Sequence, residues 1–181
     1  IGSAVTVVDA AAILNIKAAA ATKILSRWTK QGWLERVGHG LYVPNPLSSI
    51  EVSSSDGGFA IVSDIIGEEG YICGWSALTY HGITEQIFHD LSLASFKWSR
   101  NKRIKLQKFT CYIYKIHLKD AIGLKVLWFN NKKVFISDMH KTILDILTHP
   151  SCGAGFMHVV DCFRNYFNSS DCNIDQILEY A

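Results

Sequence analysis

Residues 7–44 read VVDAAAILNIKAAAATKILSRWTKQGWLERVGHGLYVP, and this stretch decides the fold. A short apolar helix comes first, then a tight turn, then a longer helix over 17–30. Two short strands follow, 33–37 and 41–43, pinched at Gly38-His39-Gly40. Gly32 ends the longer helix and Pro44 stops the second strand. Helix, turn, helix, hairpin is the layout of a winged helix-turn-helix, a DNA-reading module.

Helical spacing puts Ala21, Ile24, Leu25 and Trp28 on one face of the longer helix. That face is expected to pack on Ile13, Leu14 and Ile16. The opposite face carries Ala19, Thr22, Lys23, Ser26, Arg27 and Lys30, open to solvent or to a groove. Residues 1–50 hold five cations (Lys17, Lys23, Arg27, Lys30, Arg36) against Asp9 and Glu35, a net +3. A small unit with cations on its exposed face has the footprint of phosphate contact. Lys17, Lys23, Arg27, Lys30 and Arg36 are the expected phosphate contacts. Thr22, Ser26 and His39 are the polar candidates for base or wing contacts. Ala18, Ala19 and Ala20 stand where base-reading side chains usually sit. Alanine can touch a thymine methyl but cannot hydrogen-bond. Three explanations stand: poor direct readout, reading by the wing and other residues, or engineered alanines.

Composition bounds the rest. The 181 residues are 49% hydrophobic and 12% aromatic, enough for a packed core and unlike a disordered chain. The net charge of +2 hides an asymmetry: residues 138–181 carry six acids against Lys141 and Arg164, a net −4. Five cysteines without a CxxC pair point to reduced thiols and a cytoplasmic protein. No apolar run is long enough for a bilayer, so no membrane partner is expected. The chain begins at Ile1 and stops at Ala181 inside a helix pattern, as a C-terminally incomplete fragment would.

The pattern yields an α+β reading: a winged helix-turn-helix over 1–46, a Ser/Pro/Gly-rich linker over 47–58, and a mixed α+β domain over 59–181. The latter is expected to hold an antiparallel sheet and a helical C-terminal end. Residues 59–66 read as a short helix, 71–82 as strand then helix, and 90–95 and 109–117 as strands. Residues 124–129 and 133–136 flank Asn130-Asn131-Lys132 as a hairpin. Ser137 is the expected cap of the next helix, with Asp138 in its first turn and Met139, Ile143, Leu144, Ile146 and Leu147 as its apolar face. Helices over 156–167 and 174–180 close the chain.

Three motifs in order carry a resemblance. They are the N-terminal unit, then Tyr71-Ile72-Cys73-Gly74-Trp75-Ser76-Ala77-Leu78 leading to His81-Gly82-Ile83-Thr84, then Ile136-Ser137-Asp138 followed by Lys141-Thr142-Ile143-Leu144-Asp145. Together they resemble the AbiEi family, antitoxins of abortive-infection (phage-defence) systems. The resemblance implies a repressor of its own promoter, acting on inverted repeats in double-stranded DNA. It also implies a C-terminal domain that counteracts a nucleotidyltransferase-like toxin. No cofactor and no enzymatic activity are implied.

Other chemistry is weakly signalled. Trp75, Ser76, Tyr80 and His81 read as a packed helix rather than a pocket, with Trp75 and Leu78 inward. Asp138 and Asp145 read as a cap and a solvated edge rather than metal ligands. His158 and Cys162 have i, i+4 spacing, and His149 and Cys152 lie nearby, but without a second clear pair this is no zinc signature. Phosphate-binding glycine motifs are absent. Residues 97–108 (KWSRNKRIKLQK) form a second basic stretch with Lys97, Arg100, Lys102, Arg103, Lys105 and Lys108. It reads equally as a solvated loop or as a surface for phosphates or an acidic partner. The main alternative is a protein–protein module that uses a winged helix without specific DNA binding. A DNA-directed nuclease ranks last. Oligomeric state is open.

Overall fold

The computed structural model describes residues 4–45, 56–106, 109–129 and 132–181. The N-terminal unit holds β1 (Val5–Thr6), α1 (Val7–Leu14), α2 (Ala18–Lys30), β2 (Leu34–Gly38) and β3 (Leu41–Pro44). Its sheet runs β1-β3-β2, antiparallel throughout. The short strand β1 was not expected from the sequence.

Local chemistry sets each end. Thr6 and Asp9 close a reciprocal capping box on α1: the Asp9 N–H donates to the Thr6 hydroxyl at 3.1 Å, and the Thr6 N–H to the Asp9 carboxylate at 3.0 Å. Asn15, at φ 51°, turns the chain out of α1. α2 ends on Gly32 at φ 78°, and the Trp33 N–H reaches back to the Trp28 carbonyl at 3.0 Å. A bulge between Arg36 and Gly38 then bends β2 into the turn.

The capping box starts α1 at Val7, and this overturns one expected contact. Val7, Ala10 and Ala11 turn inward with Ile16, packing around Ala21, Leu25, Leu34 and Tyr42. Ile13 is 79% exposed and Leu14 is exposed as well. Counted from the cap, the helical period carries Ile13 to the solvent side.

The remainder is built on one six-stranded sheet, order β6-β7-β5-β4-β9-β8. Its elements are α3 (Asp56–Ile66), β4 (Gly70–Ile72), α4 (Gly74–Tyr80), β5 (Leu91–Ser95), β6 (Lys102–Lys105), β7 (Thr110–Lys115), β8 (Leu124–Phe129), β9 (Lys132–Ser137), α5 (Met139–Thr148), α6 (Phe156–Phe167) and α7 (Ile174–Tyr180). The sheet is mixed, not antiparallel as expected: β5 runs parallel to β7 and β4 parallel to β9. The cause is β6. It forms a hairpin with β7 at the sheet edge, so β7 returns beside β5 in the same direction. The proposed Asn130-Asn131 turn lies outside the described residues, although β8 and β9 pair on either side of it.

α5 decides between two readings of its start and corrects one of its surface. Its cap is Asp138, which accepts the Lys141 N–H at 2.8 Å. Ser137 instead ends β9, fully buried, with its hydroxyl on the Ile72 carbonyl and Thr142. Asp145 is not a solvated edge. It is buried 2.7 Å from the Lys141 ammonium, while Leu147 is exposed.

The core has two sides. α4, α5, α6 and α7 pack together around Leu78, Ile143, Ile146, Val159 and Tyr166. On the other side α3 packs Phe59, Val62, Ile65 and Ile66 onto Ile72, Leu93, Ile113 and Ile136. Val37 and Val43 of the β2–β3 hairpin belong to this second cluster, with Leu41 packed against it. The N-terminal sheet is therefore covered on both faces, by α1 and α2 through Leu34 and Tyr42 and by the main sheet through Val37 and Val43.

Candidate nucleic-acid interface

The buried stripe of α2 positions its open one. Ala21 and Leu25 have no exposed surface, and Ile24 and Trp28 are half-buried beside them. Thr22, Lys23, Ser26, Arg27 and Lys30 are all exposed on the opposite side, as expected, with Lys17 and Ala18, Ala19 and Ala20 exposed at the helix start. None of the ion pairs among the described residues engages Lys17, Lys23, Arg27 or Lys30. Four cations thus stand in water, free to replace counterions on a polyanion. Thr22 is less available, because its hydroxyl donates back to the Ala18 carbonyl at 2.9 Å.

Arg36 and His39 belong to the hairpin. Arg36 is exposed, and its Nε donates to the Gly38 carbonyl at 3.1 Å, tying it across the bulge. His39 stands exposed at the tip, next to Gly40 at φ 71°. Strand alternation places Arg36 on the same side as Leu34, the side facing α2.

The second basic stretch is not one patch. It enters as an exposed segment and then forms β6, which lies beside β2. Lys97 is paired with Glu69 at 2.9 Å. The Lys102 ammonium sits 3.6 Å from the centroid of Trp98, on the same sheet side as buried Ile104 and hence on the hairpin side. Arg103 lies over Tyr112 at 4.9 Å, on the reverse side of the strand with Lys105. Arg100 is exposed, and Lys108 lies outside the described residues. Alternation divides the cations of β6 between two faces, with Lys102 on the hairpin side and Arg103 on the other.

The other sequence candidates resolve as packing. Trp75 and Leu78 point inward, and the Ser76 hydroxyl accepts the Ser92 N–H at 2.9 Å. His81 contacts the Ser137 carbonyl at 2.8 Å, and burial holds its ring below the ordinary histidine range. His158 and Cys162 do meet, at 3.4 Å, but both ring nitrogens of His158 already have partners in Thr84 and the Gly153 carbonyl. His149 and Cys152 do not join them. Cys152 instead contacts the Asp145 carbonyl. All five cysteines are free. A shallow cleft of about 350 Å³ lies by Trp75, Phe88, His89 and Tyr112.

Sequence reasoning missed two buried features, the Lys141–Asp145 pair and the docked hairpin. The second had a signal. β2 and β3 carry apolar residues on both faces, Leu34 and Tyr42 on one, Val37 and Val43 on the other. Strands patterned in that way are covered on both sides.

Among the described residues no helix is long and apolar enough to cross a membrane. The chain matches no curated protein. Residues 2–45, which hold both helices and the three-stranded sheet, match the model of the family described as transcriptional regulator, AbiEi antitoxin, and this bears out the AbiEi resemblance.

Proposed function

We propose that residues 4–45 act as a winged helix-turn-helix on double-stranded DNA, with α2 as the reading helix and the β2–β3 hairpin as the wing. On this reading the protein is a cytoplasmic repressor of its own promoter, acting on inverted repeats. It is also the antitoxin of an abortive-infection system with a nucleotidyltransferase-like toxin. It performs no chemistry of its own. The observation that carries the reading is the solvent face of α2, with Lys23, Arg27 and Lys30 exposed and outside the ion pairs among the described residues. The family match over the same segment supports it.

A mobility-shift titration on the promoter of its own gene, with scrambled DNA as control and at two salt concentrations, tests it. Specific binding is expected, falling as salt rises. Each phosphate contact removed should flatten the logarithmic salt slope by about 0.9. Arg27→Ala/Lys30→Ala should therefore flatten it by about 2. The single change Lys102→Gln should flatten it by up to about 1 if β6 follows the backbone. An unchanged slope in both variants would remove the DNA reading.

One observation favours a second reading. α1 exposes Val8 and Ile13 at 74% and 79%, a surface suited to a protein partner. If that contact is the whole role of the unit, DNA is not shifted at physiological salt.

A further inference from the structure

The two edges of the main sheet differ in kind. β6, at one end, reads KRIK, with three cations in four residues. Charge of this sort guards an edge against unwanted pairing. β8, at the other end, reads LKVLWF, without proline and with Lys125 as its lone charge. Its register with β9 runs through six pairs without a bulge. Among the described residues β8 pairs with β9 alone.

The direction of its open groups follows from one hydrogen bond. The Gly123 carbonyl accepts the Asp138 N–H at 2.7 Å, extending the register in which Leu124 faces Ser137. Bonded and non-bonded pairs alternate along an antiparallel ladder. Residues 125, 127 and 129 are thus bonded to β9. The N–H and C=O groups of Leu124, Val126 and Trp128 point outward. Two of these residues also expose apolar side chains, Val126 at 45% and Trp128 at 68%. An edge with aligned donors and acceptors and an exposed indole is a template for another strand.

We propose that β8 pairs antiparallel with β8 of a second copy of this chain, across a two-fold axis that joins the two sheets. The sequence complements itself in this arrangement. With the axis on Leu127, Val126 of each copy lies opposite Trp128 of the other, an aromatic–β-branched pair. With the axis on Val126, Leu124 lies opposite Trp128. In either register Lys125 meets an apolar residue, Phe129 or Leu127, so like charges never face each other. Pairing at β8 leaves β6, the hairpin and α2 uncovered at the far end of the sheet, and it does not depend on the DNA reading.

Sedimentation equilibrium over a range of concentrations tests this, on the chain and on Val126→Glu/Trp128→Glu. Both substituted side chains are exposed, so the acids are solvated within one copy, and Trp128 lies opposite Lys133. Between copies the acids repel. The expected result is twice the 20.2 kDa chain mass, reduced to a single chain in the variant with an unchanged circular-dichroism spectrum. Amide hydrogen exchange gives a readout that needs no variant: the Val126 and Trp128 amides should exchange more slowly as concentration rises. A single-chain mass throughout, a dimer indifferent to the substitutions, or amide exchange at 126 and 128 independent of concentration would each overturn the proposal.

Discussion

The rings of Trp28 and Trp33 meet with centroids 6.5 Å apart, across the turn that Gly32 makes at φ 78°. This contact joins the end of α2 to the start of β2. The Asn45 amide adds a second tie, donating to the Gly32 carbonyl at 2.7 Å. Any contact that α2 and the hairpin make together depends on this corner.

Gly32→Ala isolates the corner's backbone demand. Nothing lies within 4 Å of a Cβ built there, so the strain comes from the positive φ alone. The expected loss is about 1 kcal/mol. Chemical denaturation of the variant checks it, and an unmoved midpoint would mean that the left-handed turn is not retained.

The shared cluster of Val37, Val43, Phe59 and Ile104 makes the hairpin part of the main core. Calorimetry should therefore show one cooperative transition for the whole chain. Val37→Ala should lower its midpoint by loss of about 1–2 kcal/mol. Two separate transitions, with only the first shifted by Val37→Ala, would show that the N-terminal unit melts independently.

Lys141 and Asp145 are buried one helical turn apart, and the Asp145 Oδ2 has no hydrogen-bond partner. Burial pushes the Asp145 carboxyl above its usual range despite the lysine beside it. Removing one partner strands the other, so Asp145→Ala should cost about 3–5 kcal/mol. Lys141→Met/Asp145→Leu removes both charges and should cost far less than Asp145→Ala. Urea unfolding of the three proteins decides, and a double variant as damaged as the single one would show that the pair is net stabilising.

His81 gives a pH dependence with a definite sign. Desolvation holds its folded pKa below the ordinary 6.5, so the fold favours the neutral ring. On acidification through 6.5 the unfolded chain takes up the proton first, and stability falls with pH until the folded value is passed. His81→Gln should flatten the stability profile across that window. A profile of wild-type steepness would assign the acid lability elsewhere.

Much of this was legible in local chemistry. α2, the hairpin, α6 and α7 follow from helical period, glycine placement and alternation, each a signal confined to neighbouring residues. Local chemistry does not choose between Ser137 and Asp138 as the cap of α5, for the same reason. A serine before an acid looks like a cap, and nothing in the sequence says that β9 draws Ser137 into the sheet beside Ile72. The basic stretch over 97–108 was read by composition, and composition cannot say that Lys102 and Arg103 stand on opposite sides of a strand.

Residues a few positions apart were enough to place most elements, though not β1 or β6, and to show the polar face of α2 and the basic character of the N-terminal unit. Tertiary structure alone decided the rest. It set the parallel pairings β5–β7 and β4–β9, the burial of Lys141 against Asp145, and the docking of Val37 and Val43 onto the main sheet. Each joins segments distant in the chain or a helix face to the layer beneath it. Such contacts form where the whole set of apolar faces finds mutual cover, and no local window contains that information.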